Sequence, residues 1–193
     1  MGLLTAYVTL KILPKLIRSL GLALLVAIAI FYIVQPQAIE AEQTIRKERF
    51  CAYVYKVTES EIPVCSTEKL STLNVEAIEI RLSKSLELYP EFSSEYGEVK
   101  YTIPLTIYVV DSGIINDQTI FGSKFKKRVV GRYSERLGYV YITPEAFTSV
   151  GYTDLQHELA HYGNDNLGLS NDDVLDEKLA NKFEKYYRRH VDK

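Results

Sequence analysis

The apolar residues of this chain fall into runs whose spacing changes along its length. From Leu16 to Val34 the sequence LIRSLGLALLVAIAIFYIV carries one charge, Arg18, and shows no polar face between Leu20 and Val34. At about 1.5 Å of rise per residue, a helix of this run nearly spans a hydrocarbon core of about 30 Å, so a membrane helix is expected. Residues 3–13 are also apolar but are interrupted by Lys11 and Pro14, and read as an interfacial segment. Residues 35–50 are polar and read as a stalk or a helical continuation.

Beyond residue 50 the pattern becomes that of a folded α+β domain. Ser66 is placed to cap a helix running to about Tyr89, with Leu70, Leu73, Ala77, Ile80 and Leu88 as its buried side and Pro90 as its stop. Val99–Val110 is rich in β-branched and aromatic residues; Pro104 divides it and leaves 105–110 as the strand. Arg128–Tyr133 and Gly138–Thr143 read as a hairpin around residues 134–137. Thr143 is placed to cap a short helix that has Pro144 at its first position and ends at Gly151. Thr153 and Gln156 read as a capping box opening the next helix, with Gly163 as its stop. Ser170 and Asp173 read as another box, opening a last helix to about Arg189. The strands predict a small antiparallel or mixed sheet.

Composition changes the picture modestly. The chain has 193 residues, 47% hydrophobic and 25% charged, with a net charge of −2. That suits one folded domain plus an appendage, and gives no basic footprint for nucleic acid. Lys11, Lys15 and Arg18 precede or open the apolar run, whereas no Lys or Arg follows it until Arg46. This bias predicts a cytoplasmic N-terminus and an extracytoplasmic C-terminal domain. Small-x-small pairs suited to cleavage are poor here, since Ala38 follows Pro36 and Ala41 follows Ile39 by two positions, so an uncleaved signal anchor is expected. The expected organisation is a cytoplasmic or interfacial segment at 1–15, a single-pass transmembrane anchor at 16–34, a stalk at 35–50 and a domain at 51–193. Cys51 and Cys65 both follow the anchor; a disulfide between them is permissible outside the cytoplasm, and two buried thiols are the alternative.

The chemistry concentrates in His157-Glu158-Leu159-Ala160-His161. On a helix the two histidines share one face, roughly opposite the stripe of Leu155, Leu159 and Tyr162. Two imidazoles so placed can bind one Zn²⁺, and Glu158 can act as general base on a water at the metal. A catalytic zinc takes a third protein ligand. Asp172, Asp173, Asp176 and Glu177 are the candidates at the start of the last helix. Helical phase favours Asp176, which points into the apolar stripe of Leu175, Leu179, Ala180, Phe183, Tyr186 and Tyr187. His190 lies thirteen residues beyond Glu177, about 20 Å along a straight helix, and reads as a surface histidine.

His157-Glu158-Leu159-Ala160-His161 followed by Glu177-Lys178-Leu179-Ala180-Asn181-Lys182-Phe183 resembles the gluzincin pattern of zincin metallopeptidases, whose second helix reads E-x-x-A-[ND]. The A-N-x-F ending is similar to ImmA/IrrE-type metallopeptidases, and the E-x-x-A-D form is shared by zincins related to the CAAX prenyl proteases. The resemblance covers residues 139–187. It implies a zincin-like fold, Glu177 as third ligand, Ala180 kept small for helix approach, and a peptide or protein substrate. It also implies that strand 138–143 is the sheet edge against which the substrate pairs. Tyr152, Tyr162, Tyr186 and Tyr187 are the candidate donors to the oxyanion. The expected activity is zinc-dependent peptide hydrolysis by a membrane-anchored enzyme; the alternative is a non-catalytic zincin-fold binding domain on the same anchor.

Overall fold

The computed structural model describes Leu24 and residues 45–57, 62–115, 131–135, 137–148 and 154–191. The expected anchor at 16–34, Arg128, Gly151, Tyr152 and Thr153 lie outside these residues, Leu24 excepted. Among the described residues no helix is long and apolar enough to cross a membrane. The chain divides into two units, Met1–Ile45 and Arg46–Lys193, and every element below belongs to the second.

Among the described residues five strands form one mixed sheet: β1 (Tyr53–Val57), β2 (Ile62–Ser66), β3 (Thr106–Val109), β4 (Gly131–Ser134) and β5 (Tyr139–Ile142). Their order is β1-β2-β3-β5-β4, with the two outer pairs antiparallel and the two inner pairs parallel. The helices are α1 (Thr72–Phe92), α2 (Ser112–Ile115), α3 (Glu145–Thr148), α4 (Asp154–Asn166) and α5 (Asp173–Val191). The architecture is thus α+β, as expected. The expected hairpin forms as β4 and β5, but among the described residues β4 is the edge and β5 is internal, so the edge expected at 138–143 falls to its partner.

Alternation along the inner strands gives the sheet two buried faces. Ile107, Val109, Val140 and Ile142 meet Ile78 and Leu82 of α1 and Leu155, Leu159 and Tyr162 of α4. Tyr108, Tyr139 and Tyr141 turn to the other face, where Phe50 and Cys65 join them. Residues 46–50 are helical, and Phe50 is 1% exposed, edge-on to Tyr108 and Tyr141. The Arg46 guanidinium donates to the Tyr141 hydroxyl at 2.5 Å. The last turn of the segment read as a stalk is therefore packed into the domain. Cys51 and Cys65 are joined by a disulfide, which ties that turn to β2.

Several expected helix ends move, each for a local reason. Ser66 does not cap α1, because it is paired in β2 with Tyr53 and Val109; Ser71 is the cap, its hydroxyl accepting from the Asn74 N–H. The buried side of α1 is Ile78, Leu82, Ser85, Leu88 and Tyr89, while Leu73 and Ile80 are exposed. Apolar residues lie on two sides of α1, and the sheet covers only one. Pro90 does not stop α1, which continues to Phe92. The Leu86 carbonyl, which a proline at position 90 cannot serve, accepts from the Tyr101 hydroxyl. Thr143 caps through its carbonyl, which accepts from the Ala146 N–H; its hydroxyl is buried with no hydrogen-bond partner. Gln156 does not close a capping box, since it too is buried with neither amide atom hydrogen-bonded. Asp172 rather than Ser170 caps α5, its carboxylate accepting from Val174 and Leu175.

Gly163 is not the end of α4. It lies within the helix, and a Cβ there would collide with the Tyr89 ring, so glycine lets α4 and α1 approach. The stop is Gly168 at φ 72°, with Leu169 N–H donating to Asn164 O and Gly168 N–H to Asp165 O. That is the paired hydrogen-bond pattern of a left-handed helix terminus.

Candidate metal centre

Helices α4 and α5 pack together and bring the two halves of the sequence pattern face to face. Leu155, Leu159 and Tyr162 hold one side of α4 in the core, at 0%, 2% and 3% exposure. His157 and His161 therefore project from the other side. On α5, Ala180 and Phe183 are buried with Tyr89 and Ala160, and Leu179 is buried as well. Their phase sets Glu177 opposite the histidines.

The Nε2 atoms of His157 and His161 lie 3.2 Å apart. Glu177 Oε2 is 3.7 Å from the first and 3.6 Å from the second. Ligand atoms about 2.0–2.1 Å from a tetrahedral ion stand about 3.3 Å apart, so these three atoms are close to the spacing that one ion requires. The cluster could hold a metal ion. Asn181 donates its amide to Glu177 Oε1 at 2.7 Å, which leaves Oε2 directed at the histidines.

Asp176, the residue favoured by helical phase, does point inward and is 7% exposed. It does not join the three-atom cluster. Its Oδ2 lies 2.7 Å from His161 Nδ1, the ring nitrogen on the other side from the cluster. His157 Nδ1 faces Glu184 Oε2 at 3.8 Å, and that carboxylate also accepts from Arg188. Burial and the neighbouring His161 hold the His157 pKa below the ordinary histidine value. Burial also opposes protonation of His161, but the Asp176 hydrogen bond and the surrounding carboxylates outweigh it and raise its pKa.

Glu158 is 8% exposed, between the histidines and β4. Burial pushes its pKa up to about 7, against the lowering influence of His161 and a hydrogen bond from the Tyr133 backbone. Gly131 makes this seat possible: a Cβ there would stand 2.8 Å from Glu158 Cγ and 3.0 Å from Oε1. The cleft in front of these groups has a volume of about 550 Å³. Gly131, Arg132, Tyr133 and Glu135 line it on one side, with Asp173 and Glu177 on the other.

Of the expected oxyanion donors, Tyr162, Tyr186 and Tyr187 do not line this cleft. The Tyr162 hydroxyl donates to Ile103 O, and Tyr187 is buried among Leu88, Phe183 and Ala180. The Tyr186 ring stacks on His190, which is exposed, as expected, and outside the cluster. Tyr152 lies outside the described residues.

Sequence reasoning missed Gly131, Asn164 and Asn181. Asn181 was legible within the E-x-x-A-N pattern, but neither Gly131 nor Asn164 belongs to a motif. The Asn164-Asp165-Asn166 run, which lies beyond the expected stop at Gly163, is the last turn of α4, and each member clamps a different segment. Asn164 reaches Asp176, Asp165 accepts from Tyr133 and Ser170, and Asn166 accepts from the backbone of Thr102 and Ile103. No family model matches this chain, and no curated protein or solved structure matches it either.

Proposed function

We propose that this chain is a membrane-anchored, zinc-dependent metallopeptidase of zincin type, with His157, His161 and Glu177 as metal ligands and Glu158 as general base. The observation that carries the reading is the convergence of Glu177 Oε2 on the two imidazole Nε2 atoms beside a buried Glu158. Two imidazoles and one carboxylate are the ligand set of a catalytic zinc that keeps one position open. Bound there, zinc would supply a Lewis acid that lowers the pKa of a coordinated water and polarises the substrate carbonyl.

The protein's own groups supply the rest. His161 and Asp176 pair so that one ring nitrogen is engaged and the other faces the cleft. Glu158, with a pKa of about 7, is poised to take a proton near neutral pH and to return it to the leaving amine. The sheet ends at β4 among the described residues, and β4 lines the cleft beside Glu158. An extended peptide would add to that edge as a further strand, which places its backbone across the site. The anchor at 16–34 rests on its sequence alone; the Cys51–Cys65 disulfide supports an extracytoplasmic domain.

The test is metal content and peptide hydrolysis by purified full-length protein. About one zinc per chain, and chelator-sensitive cleavage of a peptide library that zinc restores, are expected. Stoichiometric zinc with no hydrolysis of any peptide would favour a non-catalytic binding domain.

A further inference from the structure

Behind His161 runs a line of buried polar groups that reaches a third helix. The Tyr89 hydroxyl, on α1, donates to Asn164 Oδ1. Asn164 Nδ2 donates to Asp176 Oδ1 at 2.5 Å and to the Asp176 carbonyl at 3.2 Å. Asp176 Oδ2 takes the remaining place, against His161 Nδ1 at 2.7 Å. Tyr89 is 2% exposed, Asn164 0% and Asp176 7%, so water does not compete for these partners.

The direction of the line follows from what each group can do. A phenol that donates to one end of an amide requires the oxygen there, which turns the amide NH₂ toward Asp176. With one Asp176 oxygen taken by the Asn164 amide, the other is left as the acceptor for an N–H at His161 Nδ1. The lone pair of His161 is then left on Nε2, the atom that faces His157 and Glu177. The geometry points to Asn164, oriented by Tyr89, as a positioning residue of the metal centre: it fixes the His161 tautomer through Asp176 and so sets metal affinity from the α1 side of the domain. This rests on the metal reading above and adds residues that no ligand motif contains. Groups that orient a metal-bound histidine typically contribute about 10–100-fold in affinity.

Two near-isosteric variants test it in full-length protein, Tyr89→Phe and Asn164→Asp, with Phe183→Leu as a packing control beside Tyr89. The readouts are Zn²⁺ and Co²⁺ affinity by chelator competition, the visible spectrum of the Co²⁺ form, and the ¹⁵N shifts of the His161 ring in metal-free protein. Both line variants are expected to bind metal about 10–100-fold more weakly, with an altered Co²⁺ spectrum at saturation and a loss of Nδ1–H character at His161. Phe183→Leu is expected to lower thermal stability and to leave all three readouts unchanged. If Asn164→Asp does not fold, Tyr89→Phe decides, since it removes one oxygen and keeps the ring. Wild-type affinity and spectrum in a folded Tyr89→Phe would overturn the inference and leave the metal centre standing. A parent protein that takes up neither metal would overturn both.

Discussion

Asp176 Oδ2 lies 2.7 Å from His161 Nδ1, on the side of the ring that faces away from His157. The neighbouring Glu177 approaches the opposite nitrogen of the same ring. Adjacent acids on α5 thus hold opposite edges of one imidazole, and they are expected to fail differently. Glu177→Gln replaces the proposed ligand and should reduce zinc to substoichiometric levels after dialysis. Asp176→Asn should retain measurable zinc with affinity weakened about 10–100-fold. Metal analysis after equilibrium dialysis decides; zinc lost from Asp176→Asn and kept by Glu177→Gln would reverse the ligand assignment.

Glu158→Gln separates binding from chemistry. The amide keeps the size of the carboxylate and cannot accept the proton. Zinc content should stay near wild type while hydrolysis falls about 10²–10⁴-fold. Full activity in this variant, against a peptide the parent cleaves, would remove Glu158 from the mechanism.

The same substitution predicts a stability profile in metal-free protein. Burial raises the Glu158 pKa from 4.5 to about 7, so the folded state favours the protonated acid. Below pH 4.5 the group is protonated in both folded and unfolded chains and costs nothing. As pH rises, ionisation in the buried site costs stability, up to about 3 kcal/mol above pH 7. Metal-free Glu158→Gln should therefore be more stable than the parent at pH 8, with the difference closing toward pH 4.5. Denaturant titrations across that range measure it; a constant offset would mean that Glu158 keeps an ordinary pKa.

Gly131→Ala puts a methyl group where the Glu158 side chain sits. The expected result is a displaced carboxylate, with hydrolysis reduced by an order of magnitude or more, retained zinc, and about 1–3 kcal/mol of strain. Gly163→Ala meets the Tyr89 ring instead and should lower stability by a similar amount. Thermal melts together with hydrolysis assays of the pair distinguish a defect at the cleft from one in the helix packing.

The disulfide closes a short loop, with a sequence separation of 14. Replacing Cys51 and Cys65 by serine should cost about 3 kcal/mol, since a loop of about 15 residues gains that much from cross-linking. In membranes, thiol-reactive probes should label the parent only after reduction. Labelling without reduction would place the domain in a reducing compartment.

The sequence by itself determined what depends on neighbours along the chain. Runs of β-branched and aromatic residues marked β3 and the β4–β5 hairpin, and the spacing of Leu155, Leu159 and Tyr162 fixed which side of α4 is buried. The His157–His161 pair was legible because one helical turn puts the two rings on one face whatever surrounds them. Helical phase correctly turned Asp176 inward, but phase describes one helix and says nothing of which atom an inward carboxylate meets. Only the packing of α5 on α4 set Asp176 behind His161 and Glu177 in front of it. Packing also overruled local signals: Ser66 went to a strand because β3 lay beside it, and Gly163 became a helix contact because Tyr89 needed the space. Gly131 and Asn164 had no local signal at all. Their importance comes from side chains on other elements, Glu158 and Asp176, which the chain brings to them only when the sheet and three helices close together.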